Sequence, residues 1–254
     1  SCMNPTHATA LPHAATLRRS VHLFRAFLVE QTDPDHFYGE LAHDTVSQIG
    51  QWVDLEGRSV LDIGGGPGYF ADAFTSAGAR YAGIEPDAGE LTARGTVGGD
   101  SLRGSGLALP IASRSVDVTM SSNVLEHVPD PEAMADEMVR VTRPGGLVYL
   151  SWTPWLSPWG GHETSPWHYL GGRRAVEKNA RRHGRRPKNE FGQSLYACSV
   201  GRMRRWARRQ TQEGALEGVL MLPRYHPRWA HWVIQVPGAR EVASWNAVIV
   251  GRRG

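Results

Sequence analysis

Asp62, Gly64, Gly66 and Gly68 fall at alternate positions from the end of the apolar run Val60–Ile63 onward, and these four residues carry the clearest chemistry in the chain. Glycines that stop a buried strand let backbone N–H groups and a following helix N-terminus come close to a ligand. An acid at the strand end faces a pyrophosphate unfavourably and suits a ligand that carries an ammonium and a sulfonium. The same turn also satisfies G-x-G-x-x-G/A through Gly66, Gly68 and Ala71, the dinucleotide fingerprint, which alone is a weak signal. Glu85 lies 17 residues past Gly68, at the end of a second apolar run, near the spacing at which an acid accepts hydrogen bonds from ribose hydroxyls. A nucleoside ligand satisfies both acids.

The elements that must position these residues follow from periodicity. Thr16 to Glu30 is predicted as an amphipathic helix with Leu17, Val21, Phe24 and Leu28 on one side, broken by Asp33-Pro34. A second helix is expected over Pro34 to Val53, with Phe37, Leu41, Val46 and Ile49 as its apolar positions. Strands are expected at Val60–Ile63, Tyr81–Glu85, Val116–Ser121 and Leu147–Trp152, with a helix from Pro67 onward. Asp130-Pro131 is a good helix start, acid at the cap and proline at the first turn. The glycine-rich stretch Arg94 to Ser105 gives no clear element. Ser199 is expected to cap a helix with Met203 and Trp206 inward. Ala215–Leu222 and Val242–Val250 are expected as late strands, and Tyr225–Val236 as a short apolar helix.

Four segments in order resemble the class I S-adenosylmethionine (SAM) methyltransferases: the glycine turn at 62–68, Ser105-Gly106-Leu107-Ala108-Leu109-Pro110 before Ser115-Val116-Asp117, Leu125-Glu126-His127, and the helix–Arg143-Pro144-Gly145-Gly146–strand passage. That likeness covers about residues 55–152. A closer one, to an uncharacterised actinobacterial methyltransferase family, rests on Phe37-Tyr38, on Leu61 to Ala71, on Gly160-Gly161-His162-Glu163 and on Pro223 to Ala230, and it brings no acceptor with it. The resemblance implies an α/β, Rossmann-like, doubly wound sheet of seven mostly parallel strands, with N-terminal lid helices and an aromatic and basic capping insertion after the fifth strand. It implies SAM as cofactor, with S-adenosylhomocysteine as product. Asp62, Gly64, Gly65, Gly66 and Gly68 would hold the methionine end under Tyr38, Glu85 and Pro86 the ribose, and Ser105, Gly106 and Leu107 the adenine edge. Asn123, Val124 and His127 would face the sulfonium. Ser105 stands where the family usually has an aspartate, and Asp100 is a second candidate for that contact. The segments divide as 1–54 lid, 55–152 cofactor core, 153–212 substrate-side loop and basic cap, and 213–254 closing strands.

After the fifth strand, where an open parallel sheet presents its ligand crevice, come Trp152, Trp155, Trp159, Trp167 and Tyr169 among prolines and glycines. Aromatic faces in that place make an acceptor wall, to which His162 is added. Methyl transfer to a hydroxyl gains from a general base, for which His162, His127 and His168 are candidates and His162 is favoured. The spacing from His162-Glu163 to His168 is not H-E-x-x-H, so no metal site is expected.

Composition bounds the remainder. The 254 residues, 41% hydrophobic and 21% charged, suit a globular α/β domain with a cap. The opening Ser1–Ala15 is polar and proline-broken, so a signal peptide is not expected, and Cys2 and Cys198 give no disulfide framework. A cytoplasmic protein is expected, with peripheral membrane contact. The net charge of +3 hides an excess of acids before residue 173 and 13 Lys/Arg against 2 acids over 173–209. Such segregation points to an anionic partner, here a small-molecule, lipid-linked or glycan acceptor; nucleic acid is disfavoured. The favoured activity is O-methylation. A nicotinamide-dependent oxidoreductase, and a non-catalytic module that binds a nucleotide or an anionic surface, are the alternatives.

Overall fold

Leu147, Val148, Tyr149 and Leu150 are all buried because the sheet that contains them is covered on both faces. Alternate residues serve opposite cores. Val148 and Leu150 join Ile63, Ile84, Met134, Met138, Met203 and Trp206 on one side. Leu147 and Tyr149 join Phe37, Leu41, Ile49, Phe74, Val118 and Met120 on the other. This is the period-two consequence of strand geometry.

The computed structural model describes residues 13–30, 32–87, 89 and 100–254. Its strands are β1 (Ser59–Ile63), β2 (Arg80–Glu85), β3 (Asp100–Arg103), β4 (Val116–Ser122), β5 (Thr142–Trp152), β6 (Leu216–Pro223) and β7 (Ala247–Arg253). They form one sheet in the order β3-β2-β1-β4-β5-β7-β6. β1 to β5 run parallel, and β7 enters antiparallel between β5 and β6. The expected Rossmann-like sheet of seven mostly parallel strands is present, with the order reversing between β1 and β4.

Helices α1 (Leu17–Leu28), α2 (Pro34–Ile49) and α3 (Ala71–Ser76) cover one face; α4 (Pro131–Val141) and α6 (Val200–Gln212) cover the other, with α5 (Gly172–His183) and α7 (Ala239–Val242) outside them. Caps set several starts: Thr16, Asp33, Asp130 and Ser199 each accept a hydrogen bond from the backbone N–H three residues on.

Several expectations change. The inner face of α1 is buried Leu23 and Ala26 with half-buried Arg19, not Leu17, Val21 and Leu28, which are exposed. Arg19 makes a bidentate pair with Asp44 of α2, 2.6 and 2.7 Å, and that pair turns the helix. α2 ends at Ile49, before Val53, with Gly50 at its C-cap. α3 begins at Ala71, because Gly64 to Phe70 are all spent in the turn. β5 starts at Thr142, earlier than Leu147. The closing strand is 247–253, not Val242–Val250; Val242 instead ends helix α7, Ala239–Val242. Segment 228–235 is a 3-10 helix that buries Ala230, Val233 and Ile234 and leaves Trp229 and Trp232 exposed. Within Arg94–Ser105, residues 94–99 lie outside the described residues, and the rest opens with β3.

Candidate active site

The glycine turn sits at the C-terminal end of β1, and its backbone explains its composition. Gly64 has φ of 79°, and a Cβ there would lie 2.5 Å from a Val124 methyl in the loop after β4. Gly66 also has positive φ, 52°, but a Cβ on it would meet nothing within 4 Å. Only glycine takes such angles without strain. Val124 therefore packs directly against the turn.

Two carboxylates flank it. Asp62 is buried and accepts a 2.6 Å hydrogen bond from the Tyr81 hydroxyl. Desolvation pushes its pKa up to about 7; the Tyr81 bond opposes that rise, and the Glu85 charge adds to it. Glu85 accepts from the Gly66 N–H at 3.3 Å and from the Asp87 N–H at 3.1 Å. Pro86 is exposed, and its carbonyl accepts from Arg103. Above the turn, Tyr38 of α2 stacks on Tyr69 with ring centres 4.6 Å apart and donates to Glu30. Phe37, its neighbour, is instead core.

On the next strand loop, the Ser105 hydroxyl accepts from the Leu107 N–H, so it caps its own turn. Gly106 is pressed against Ile63, where a Cβ would come within 2.9 Å. Asn123 has φ of 59° and accepts from Asn246 Nδ2 at 2.6 Å, which ties the loop after β4 to the start of β7.

The histidines separate. His127 and His162 come together, ring centres 5.0 Å apart, although they are 35 residues apart in sequence. His127 Nδ1 lies 2.7 Å from the Ser194 carbonyl, which can only accept, so Nδ1 carries the proton and Nε2 the lone pair. His162 has φ of 47°, and its Nε2 is buried with no partner. Burial, with His127 and His168 nearby, pushes its pKa down to about 3. Glu126 is buried beside them. Its Oε1 accepts from the Thr153 N–H at 3.0 Å, and its Oε2 has no partner. Burial raises its pKa. His168 goes elsewhere: it is buried, 3.1 Å from the Ser157 carbonyl, and braces the loop under Gly161.

The aromatic residues also divide. Trp152 is fully buried in the core and offers no face to a ligand, which removes it from the expected wall. Trp155 packs on Phe191 and His168, and Lys178 Nζ sits 3.3 Å over Trp167. Trp159 joins Phe24, Phe27 and Trp245, so it closes the loop against α1. Tyr169 is exposed, with its hydroxyl bonded to the Leu156 carbonyl.

The basic segment does not converge on these groups. Arg202 and Arg209 pair with Glu132, and Arg186 with Glu190. Arg204, Arg205, Arg208 and Arg240 line a separate open pocket of about 410 Å³. Sequence reasoning missed Glu126 as a polar group in its own right, Asn246, and Arg224. Arg224 is a fully buried cation that donates to Ser122, Ser151 and Thr45. No periodicity marks a cation for burial. The only trace was its place in the Pro223–Ala230 motif.

Comparison with known proteins agrees with this geometry. Residues 61–150 match a family model described as a methyltransferase domain. A protein of Mycolicibacterium gilvum described as an uncharacterized methyltransferase is 54% identical, covering 94% of this chain and 95% of its own length. One of the same description from Mycobacterium marinum is 50% identical over 93% and 94%. SAM-dependent methyltransferases of Archaeoglobus fulgidus and Mesorhizobium loti share the fold, with TM-scores of 0.55 and 0.54 at 12% and 19% identity; they cover 89% and 84% of this chain and 99% and 98% of theirs. The paired carboxylates around an amide-rich turn fit a ligand with an ammonium and ribose hydroxyls, and oppose a pyrophosphate. The chain belongs to the methyltransferase family, as an enzyme that takes its methyl group from S-adenosylmethionine.

Proposed function

We propose that this enzyme methylates an oxygen of a small-molecule, lipid-linked or glycan acceptor, at the cluster of Glu126, His127 and His162. The observation that carries the reading is that these three side chains converge beside the Asn123–Val124 loop, which packs on the glycine turn. Bound SAM supplies an electrophilic methyl on a sulfonium. The protein's part is to hold that group and to favour the ionised acceptor.

Asp62 receives the ammonium, Glu85 the ribose hydroxyls, and Ser105, Gly106 and Leu107 border the adenine, with Tyr38 and Tyr69 covering the turn. At the acceptor, His162 on its own is too weak a base near neutral pH, because burial holds it far below the usual imidazole range. His127 replaces it as the residue of first importance. The Ser194 carbonyl fixes its tautomer and leaves Nε2 able to interact with the acceptor. Trp155, Trp159, Trp167 and Tyr169 form the loop that shapes the entrance. Exposed Leu17, Val21, Trp229 and Trp232, on two segments joined by the Arg228–Ala15 backbone bond, support contact with a membrane surface for a cytoplasmic enzyme. Among the described residues no helix is long and apolar enough to cross a membrane.

The test is methyl transfer from radiolabelled SAM to separated phenolic, glycan and phospholipid pools. His127→Gln is expected to lower turnover by ~100-fold or more while SAM affinity, read by calorimetry, stays unchanged. Unaltered turnover rejects the cluster as the acceptor site, and label on nitrogen or carbon rejects the oxygen acceptor.

The cofactor half has its own check. Gly66→Ala places a methyl in open space and costs about 1 kcal/mol of backbone strain. It is expected to weaken SAM binding by roughly tenfold or more while the melting temperature falls by only about 2–4 °C. Equal SAM affinity in wild type and variant rejects the turn as the binding cradle.

A further inference from the structure

Glu126, His127 and His162 each present one ligand atom, and these atoms all lie within 4.8 Å of one another. We propose that the three side chains form a binding site for a divalent transition-metal ion, with Zn2+ the cation whose ligand preferences they match. The proposal deepens the acceptor-site reading and rests on it for the ion's role.

The donor set is two imidazoles and one carboxylate, a combination used where a metal keeps a position open for substrate. Two of the three groups are otherwise hard to explain. Glu126 Oε2 and His162 Nε2 are buried polar atoms with no hydrogen-bond partner. Buried polar atoms are nearly always satisfied, and leaving one unpaired costs about 1–3 kcal/mol. One cation satisfies both.

The surroundings already orient the ligands. His127 donates its Nδ1 proton to the Ser194 carbonyl, the outer-shell partner that metal-bound histidines usually have, and so frees Nε2. Glu126 is fixed through Oε1 by the Thr153 N–H, and through its own carbonyl by the Tyr196 N–H. His162 is held in a left-handed backbone conformation that histidine rarely adopts, so its place is maintained at a cost. The sequence hid this set. Glu126-His127 come from the loop after β4 and His162 from the loop after β5, whereas the local His162-Glu163…His168 pattern points to residues that do not converge.

An ion held by Glu126, His127 and His162 would act as a Lewis acid that favours the ionised form of an acceptor hydroxyl, whose proton would pass to solvent. No histidine base is then required, since His127 Nε2 serves as a ligand in place of the proton-acceptor role it has without the ion. An acceptor with a second oxygen donor next to the methylated one suits such a site best.

The experiment uses the 254-residue chain after dialysis against a chelator. Zn2+ titration by calorimetry is expected to show one tight site, and Co2+ loading to give the visible absorption bands of a bound ion. His162→Gln and Glu126→Gln are each expected to weaken Zn2+ binding by about 100-fold or more, at or above the 10–100-fold typical of losing an outer-shell partner. His183→Gln, in an exposed position on α5, should leave it unchanged. Calorimetry with SAM on the same samples reports whether each variant is folded. SAM-competent protein that takes up no Zn2+, or takes it up equally in wild type and both cluster variants, overturns the metal site and leaves the His127 proton-acceptor reading standing. Zn2+ bound through the cluster, with turnover insensitive to His127→Gln, overturns instead the acceptor site.

Discussion

Arg224→Ala is expected to destabilise the protein by about 3–5 kcal/mol, a fall of about 10 °C in melting temperature for a chain of this size. The guanidinium is fully buried, and among the described residues it is bound by hydroxyls: Ser122 at 2.9 Å, Ser151 at 2.8 Å and Thr45 at 2.8 Å. Those three belong to the ends of β4 and β5 and to α2, so one side chain joins the lid helix to the strand ends beneath the site. Tyr149 and Tyr225 lie 5.7 and 5.4 Å from it, ring to guanidinium, and supply part of the compensation a buried cation needs. Alanine leaves a cavity and hydroxyls without their donor. Arg224→Lys should recover less than half of the loss, because one ammonium cannot span the fork between Thr45 and the two serines. Arg224→Met tests the opposing term, since an apolar chain of similar length avoids burying a charge. Denaturant unfolding of the three variants gives the ranking. A loss below about 1 kcal/mol for alanine shows that desolvation cancels the hydrogen bonds and removes Arg224 from the fold's main supports.

Asp62→Asn is expected to move stability and cofactor affinity in opposite directions. The folded protein holds the Asp62 carboxyl at about 7, well above its ordinary 3.8, chiefly through burial. A raised folded pKa means that stability is full below the unfolded value and is lost as pH rises through the folded one. The charged carboxylate therefore costs stability between about pH 4 and pH 7, reaching up to about 4 kcal/mol above that window. Asparagine keeps the acceptor for the Tyr81 hydroxyl and removes this cost, so the variant should be more stable at pH 8 and nearly equal at pH 4. SAM binding should weaken by roughly 10–100-fold, the worth of a buried charge-assisted hydrogen bond. In the wild type, SAM affinity should fall as pH drops below about 7, and in the variant that dependence should flatten. Parallel melting and calorimetric series over pH 4–8 check both. Unchanged SAM affinity at pH 8 shows that the ammonium binds elsewhere.

The sequence determined what local chemistry determines. Alternating glycines after Val60–Ile63 required a tight turn at a strand end, because positive φ at Gly64 and Gly66 is open to few other residues. Asp130-Pro131 and Ser199 started their helices for reasons that lie within one turn of chain. The doubly wound sheet was implied by the likeness of four ordered segments over about residues 55–152 to the class I methyltransferases, while the apolar runs and caps placed the individual strands and helices. Boundaries were less legible where packing competes with propensity, as at α1, whose buried stripe is set by the Arg19–Asp44 pair across two helices.

Only the tertiary structure decided which polar residues meet. Chain separation carries no signal for contact between groups on different strand loops. His127 therefore meets His162 rather than staying alone, His168 turns away to brace its own loop, and Glu126 becomes part of the cluster. Burial acts in the same way. Trp152 leaves the acceptor wall for the core, Asp62 and His162 are shifted in opposite directions by desolvation, and Arg224 is enclosed by hydroxyls from three elements. Desolvation and contact are properties of the assembled molecule, so a residue's type and spacing can nominate it for chemistry, but the fold assigns its charge state and its neighbours.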